Sequence, residues 1–181
     1  MKRAAFLFLI FLSGWGGAGC GYSTRAQIKS LDYKTIYVAP FDNKIDVTNE
    51  TNEGSRFKTS FPMMENTIKN AVVDRFILDG TLKIVKEEAA DVVLKGSLVN
   101  YRRDSLREAS DNTPEEFRVT IFTDLTLINI KTGKLIWEKK NFAGEADYFT
   151  TGQYTKTESQ AVQDAAQDLA RRIIEATVEA W

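Results

Sequence analysis

The only cysteine of the chain, Cys20, is the residue whose surroundings most clearly indicate a chemistry. Two basic residues open the sequence, an apolar run follows from 4 to 12, and residues 13 to 19 are nearly all small. This order is typical of a secretory signal, and the apolar run is too short to span a bilayer as a permanent helix. A thiol at this place can be joined to diacylglycerol by a thioether bond in lipoprotein processing. We therefore predict a lipoprotein-type signal peptide over 1–19 and lipidation of Cys20.

The cleavage site departs from the usual lipoprotein pattern at one position. Gly17 stands where that pattern usually has Leu, ahead of Ala18, Gly19 and Cys20. The alternative is cleavage by an ordinary signal peptidase, which would leave a free thiol with no partner cysteine on an oxidising side of the membrane. We favour the hypothesis that Cys20 is lipidated. Acyl chains such as palmitate contribute about 0.8 kcal/mol per buried methylene, so several of them hold a soluble domain on a membrane.

The charge balance argues against a nucleic-acid-binding protein. The signal region holds two basic residues and no acidic one, so the remaining chain keeps 22 basic against 25 acidic residues. Nucleic-acid-binding domains carry a basic face and a high isoelectric point, neither of which this composition provides. The roughly 160 residues after the signal are enough for one domain with its own core.

The absence of histidine from the sequence restricts the enzyme classes that the chain could belong to. Catalytic triads, Cys-His pairs and histidine metal sites all need this residue. The sequence also has no Gly-rich phosphate-binding loop. We expect a protein that is not an enzyme and has no cofactor or metal. A hydrolase using two carboxylates stays open as a weak alternative.

The hydrophobic pattern predicts one α+β domain over 35–181 after a lipidated tether over 20–34. Period-two and β-branched patterns predict strands, and three- and four-residue spacing predicts helices. The predicted strands are 35–41, 82–85, 91–103, 117–129 and 135–149. The predicted helices run from a start at Ser60 or Pro62 to Gly80, and from 157 to 180. The predicted connections are a long loop at 42–60, a polar segment at 104–115 and a tight turn at 131–134.

These elements predict a two-layer sandwich. Two amphipathic helices on one face of a four- to five-stranded, mostly antiparallel sheet would bury every apolar stripe.

Several local motifs occur in an order that resembles a known family. The mature chain would open with Cys20-Gly21-Tyr22, and the first strand reads Thr-Ile-x-Val-x-Pro-Phe-x-Asn over 35–43. A helix ending in Asp79-Gly80 precedes Ala-Asp-Val-Val-Leu-x-Gly over 90–96, and Lys-Thr-Gly-Lys-Leu-Ile-Trp-Glu follows over 131–138. Together they resemble the lipopolysaccharide-assembly lipoprotein family, LptE, across nearly the whole mature chain.

The resemblance implies a lipid-anchored protein of the outer membrane that faces the periplasm. Members of the family act as a plug and scaffold inside the β-barrel LptD, which inserts lipopolysaccharide into the outer leaflet, and they have been proposed to bind lipopolysaccharide. Gly21 fits export to the outer membrane, because Asp at that place favours retention in the inner membrane. The expected partners are therefore LptD, lipopolysaccharide and the membrane.

Lipopolysaccharide carries phosphates, so its expected contacts are cationic side chains beside apolar surface. The alternative for the lysines is a role in solubility and in preventing sheet edges from pairing. The candidate residues for lipopolysaccharide binding are Arg102, Arg103, Arg107, Arg118, Lys131 and Lys134.

Two other functions remain as alternatives. The first is a lipoprotein activator of a peptidoglycan synthase or a secretion-accessory lipoprotein, whose members share the Ile-x-Val-x-Pro-Phe strand but have a long tether. Only about fourteen residues separate Cys20 from the first strand here, a reach of roughly 50 Å at most, which favours a task at the membrane itself. The second is the carboxylate hydrolase, which would require two acids converging in a pocket.

Overall fold

The computed structural model describes residues 32–45, 63–110 and 113–178. The predicted signal peptide, Cys20 and most of the predicted tether lie outside these ranges, as do most of the 42–60 loop and the expected helix start at Ser60 and Pro62.

The described ranges contain six strands and two α-helices, with a short 3₁₀ turn between β3 and β4. The strands are β1 (Thr35–Val38), β2 (Asp42–Asn43), β3 (Lys83–Ile84), β4 (Val92–Glu108), β5 (Pro114–Asn129) and β6 (Leu135–Phe149). The helices are α1 (Met64–Asp79) and α2 (Glu158–Val178). They pack on each other, α1 against β1 and β3 and α2 against β5 and β6, so the α+β class is confirmed.

The sheet is larger than predicted and mixed, so the expectation of a four- to five-stranded, mostly antiparallel sheet was wrong in both respects. Its order is β3-β1-β4-β5-β6, with β2 also paired to β4. β1 and β2 pair with β4 in parallel, and β3 pairs with β1 in parallel, whereas β4, β5 and β6 are antiparallel. The physical reason is the position of α1, because a helix that crosses between neighbouring strands returns the chain in the same direction.

Helix α1 buries one stripe and ends where the sequence predicted. Met64, Ile68, Val72 and Phe76 are buried at four-residue spacing. Gly80 follows the helix with φ of 72°, and its N–H donates to the carbonyl of Phe76. This left-handed conformation is why glycine suits the position.

Helix α2 begins with a reciprocal cap and approaches the sheet very closely. The N–H of Gln160 donates to the Thr157 hydroxyl, and the Thr157 N–H donates to the Gln160 side chain, as in a capping box. A Cβ at Gly144 of β6 would lie 2.5 Å from the Ala165 carbonyl oxygen and 2.6 Å from the Leu169 nitrogen. Glycine in the strand therefore sets the separation between α2 and β6.

The polar segment predicted over 104–115 is mostly strand, so that prediction was wrong. β4 continues to Glu108 and β5 starts at Pro114, with the Ala109 N–H donating to the Thr113 carbonyl. This part of the hairpin has no buried residue between Asn100 and Glu108, so it lacks the apolar alternation by which a strand is recognised. Cross-strand pairing of polar residues extends the ladder instead.

Candidate functional site

Arg118 is the centre of an ion-pair network on the face of the sheet that the helices do not cover. Its Nε lies 2.7 Å from Asp147 Oδ1 and its Nη2 lies 2.8 Å from Oδ2, while Glu145 is 3.8 Å away. The hydrogen bonds from the guanidinium lower the pKa of Asp147 and raise that of Arg118. The network therefore fixes the guanidinium on the open face of the sheet.

Arg102 lies on the same open face, because its cross-strand partner Thr120 is two residues from Arg118. Its Nε donates to Asp104 at 2.6 Å, and its guanidinium carbon lies 5.5 Å from the centre of the Phe122 ring. The side chain is 53% exposed. The two arginines, their partners Asp104, Glu145 and Asp147, and Phe122 on the strand of Arg118 form a surface that we call the open-face patch.

Arg103 points to the opposite side of the sheet, towards the N-terminus of α2. Its guanidinium lies 3.8 Å above the Phe117 ring, and its Nη1 is 3.2 Å from Glu158 Oε2. The Arg103 side chain is only 18% exposed. The adjacent arginines of β4 therefore do not form one site, since neighbouring strand residues face opposite ways.

The groups around Arg103 were not predicted from the sequence. The Tyr101 hydroxyl donates to Glu158 Oε1 at 2.6 Å, and burial followed by this hydrogen bond raises the pKa of Tyr101. The Phe117 and Tyr148 rings stack with centroids 5.7 Å apart. Glu158 thus ties the first turn of α2 to β4. The sequence could have shown that Tyr101 and Arg103 share one face of a strand, because they are two positions apart. It could not have shown that their partner is Glu158, which lies 55 or more residues away.

Lys131 pairs with Asp91 at the other end of the sheet, with its side chain 74% exposed. Its ammonium lies 2.6 Å from Asp91 Oδ1, and Asp91 Oδ2 accepts from the N–H groups of Lys34 and Thr35 and from the Thr35 hydroxyl. These hydrogen bonds, led by the one from Lys131, hold the pKa of Asp91 well below its usual range. Asp91 therefore joins the β5–β6 turn to the beginning of β1.

Lys134 is exposed in the same turn, where its backbone N–H donates to the Thr132 hydroxyl. Gly133 supplies the predicted left-handed conformation, with φ of 66°.

Arg107, near the opposite end of the hairpin, is 3.6 Å from Glu115. Fifteen residues of β4 lie between Asp91 and Arg107, so these two residues are about 50 Å apart at ~3.3 Å per residue. Of the six candidates, Arg102 and Arg118 lie on one face of the sheet and Lys131 and Lys134 share the turn at its other end, whereas Arg103 points to the helical side.

A cleft of about 490 Å³ lies between the two helices, and it contains none of the six candidates. It is lined by Asn70, Asp74, Arg75 and Gln163, with Ala71 and Leu78 beside them. Within 32–45, 63–110 and 113–178, no cluster of three or more acidic, histidine or cysteine side chains is arranged to hold a metal. No helix in the same ranges combines the length and hydropathy required to cross a membrane.

Comparison with solved structures finds similarity to proteins of several bacteria. A crystal structure of a protein from Xanthomonas campestris has a TM-score of 0.55 and 13% identity, covering 81% of this chain and 85% of that one. Rare lipoprotein B from Shewanella oneidensis has a TM-score of 0.44 and 17% identity, covering 79% and 94%. A minor lipoprotein from Acinetobacter baumannii has 0.44 and 16%, covering 81% and 92%. Among curated proteins none matches this chain significantly. At 13% identity, the likeness to the Xanthomonas protein bears on the fold alone.

The two helices packed on a mixed six-stranded sheet place this protein in the α+β class. Within that class, the model of the family LptE, lipopolysaccharide-assembly, matches residues 33–177. The chain therefore belongs to the LptE family, as the order of its motifs suggested.

Proposed function

We propose that this protein is an outer-membrane lipoprotein, anchored through acyl chains on Cys20 and facing the periplasm, that plugs and supports the LptD barrel in lipopolysaccharide transport. The family match over 33–177 carries the proposal. The export signal and Cys20 supply the anchor. In this role the protein works by binding, without catalysing a reaction.

The open-face patch is our choice for lipopolysaccharide contact. A guanidinium has five N–H donors, and Arg118 uses two on Asp147 while Arg102 uses one on Asp104. The remaining donors can bind a phosphate without breaking these pairs. Phe122 adds apolar surface beside the charges. Arg103, in contrast, is a structural residue, and Lys131 has its ammonium on Asp91.

Copurification tests the partner. The tagged full-length protein is isolated from detergent-solubilised outer membranes, and we expect a one-to-one complex with a large β-barrel. Mass spectrometry of the same sample should find diacylglycerol and acyl chains on Cys20, and Cys20→Ser should release the protein from the membrane fraction. Recovery with a penicillin-binding protein would instead support a peptidoglycan synthase activator.

Charge reversal tests the contact surface. Arg102→Glu should weaken binding of purified lipopolysaccharide several-fold while thermal unfolding stays close to that of the wild type. Arg75→Glu is the matched control, because it reverses an exposed arginine of α1, in the other layer of the fold. Equal loss of binding in both variants would point to net charge alone, and no loss in either would remove the patch as the contact.

A further inference from the structure

A row of apolar side chains crosses four strands on the face of the sheet that α1 and α2 do not cover. Tyr37 of β1 pairs with Val93 of β4, and Val93 pairs with Ile128 of β5. Ile128 in turn pairs with Leu135 of β6. Paired residues of neighbouring strands point to the same face of a sheet, so these four side chains lie side by side. Three gaps of about 4.8 Å between strands make this surface, which we call the apolar row, about 14 Å wide.

The burial of neighbouring residues shows which face carries the apolar row. Ile36 and Val38, on either side of Tyr37, are buried in the core against the helical layer. Side chains alternate along a strand, so Tyr37 points to the open face. On this face Val93 is 5% exposed in the middle of the row, Leu135 is 48% exposed at its end, and the other two members are half-buried. The row therefore presents apolar surface to solvent, above all at β6.

Charged side chains border the apolar row on both sides. Towards the β5–β6 turn, Lys131 pairs with Asp91. Towards the outer hairpin, the next pairs on the same face join Lys95 and Glu138 to Thr126 between them, and both charged side chains are exposed. Lys95 and Glu138 lie two strands apart, about 10 Å, so a matching partner has an acidic group opposite one and a basic group opposite the other. An apolar centre with a polar rim of both signs is typical of a protein interface.

We propose that the apolar row is the surface by which this protein packs against the inner wall of its barrel partner. This inference rests on the proposed function, in which the body sits inside a β-barrel. A barrel wall is itself a sheet, and two sheets pack face to face about 10 Å apart when their side chains interdigitate. The lumen wall of a large barrel is mostly polar, so the row should meet a local apolar site with charges on either side of it. Arg118 lies ten residues from Ile128 along β5, about 33 Å, so contact at the row leaves the open-face patch free for glycolipid.

Substitution at the exposed end of the row tests this contact in the full-length protein. Leu135→Glu places a carboxylate in the row at a half-exposed side chain, so thermal unfolding should stay close to that of the wild type. Ile77→Glu is the matched control, because Ile77 is an exposed apolar residue of α1, in the other layer of the fold. Each tagged variant is isolated from detergent-solubilised outer membranes. The amount of barrel recovered should fall several-fold for Leu135→Glu and stay at the wild-type level for Ile77→Glu.

Photo-crosslinking in cells gives a second measurement that does not depend on the stability of a charged variant. The photoreactive residue p-benzoylphenylalanine at position 37 or 135 should join the protein to the barrel, with a yield several-fold higher than at position 77. Equal loss of the barrel in both Glu variants, or crosslinking from position 77 alone, would assign the contact to another surface and overturn the row. A barrel that copurifies with the wild type but shows no contact at 37 or 135 would overturn the row and leave the proposed function standing. A wild-type sample without any barrel would overturn the proposed function and this inference with it.

Discussion

Gly144→Ala tests the closest contact between the two layers. The added Cβ would lie 2.5 Å from the Ala165 carbonyl oxygen and 2.6 Å from the Leu169 nitrogen, and both atoms belong to the backbone of α2. Ordinary carbon contacts are near 3.5 Å, so the helix must retreat by about 1 Å over β6. Overpacking of this kind costs about 1–3 kcal/mol, and we expect about 3 kcal/mol because no side chain can move aside.

The assay is urea unfolding of wild type and variant, followed by circular dichroism. A loss of about 3 kcal/mol corresponds to a melting temperature lower by roughly 6–12 °C for a domain of this size. Gly152→Ala is the matched control, because no atom lies within 4 Å of its Cβ while its φ of 87° still disfavours alanine. That control should lose about 1 kcal/mol from backbone strain alone. A Gly144→Ala protein no less stable than the control would refute the close approach of α2.

Three further variants probe contacts within the fold. Asp91→Asn should lower the free energy of unfolding at neutral pH, because it removes the interaction with Lys131. The difference in free energy of unfolding between variant and wild type should shrink as pH falls below about 4, because protonation of the low-pKa carboxylate removes the same interaction from the wild type. Urea midpoints measured across pH test this. Arg103→Gln should lower the free energy of unfolding by about 1–3 kcal/mol, which is less than the loss of a fully buried ion pair would cost. The affinity of the folded protein for lipopolysaccharide should stay unchanged. A variant as stable as the wild type would argue against the pairing of Arg103 with Glu158. Gly96→Ala should lower the free energy of unfolding by about 1–3 kcal/mol, because the added Cβ would overlap the buried ring of Phe41. An unchanged melting temperature would contradict this packing.

Periodicity identified the elements that bury one face along their whole length. The α2 stripe predicted from Val162 to Thr177 is buried, as is the predicted stripe of β4 from Val92 to Leu98. The same reasoning stopped β4 too early, because its outer half has no core face to impose an apolar alternation. The turn at Gly133 was predictable from local conformation alone.

Pairing between distant residues explains what the sequence analysis could not predict. Lys131 meets Asp91 across 40 positions only because β1, β4 and β5 are neighbours, and strand order is a property of the whole sheet. The separation of Arg102 from Arg103, in contrast, follows from strand parity and was accessible from the sequence. Two adjacent arginines in a strand serve different faces, and here one contacts solvent while the other supports α2.

The β4–β5 hairpin is longer than the helical layer. Helix α2 has 21 residues and spans about 31 Å, whereas the 17 residues of β4 span about 55 Å. The hairpin therefore extends beyond the helical layer, and no residue of β4 after Asn100 is buried. The open-face patch lies between the two ends, where a glycolipid could contact Arg102 and Arg118 without displacing the pairs that position them.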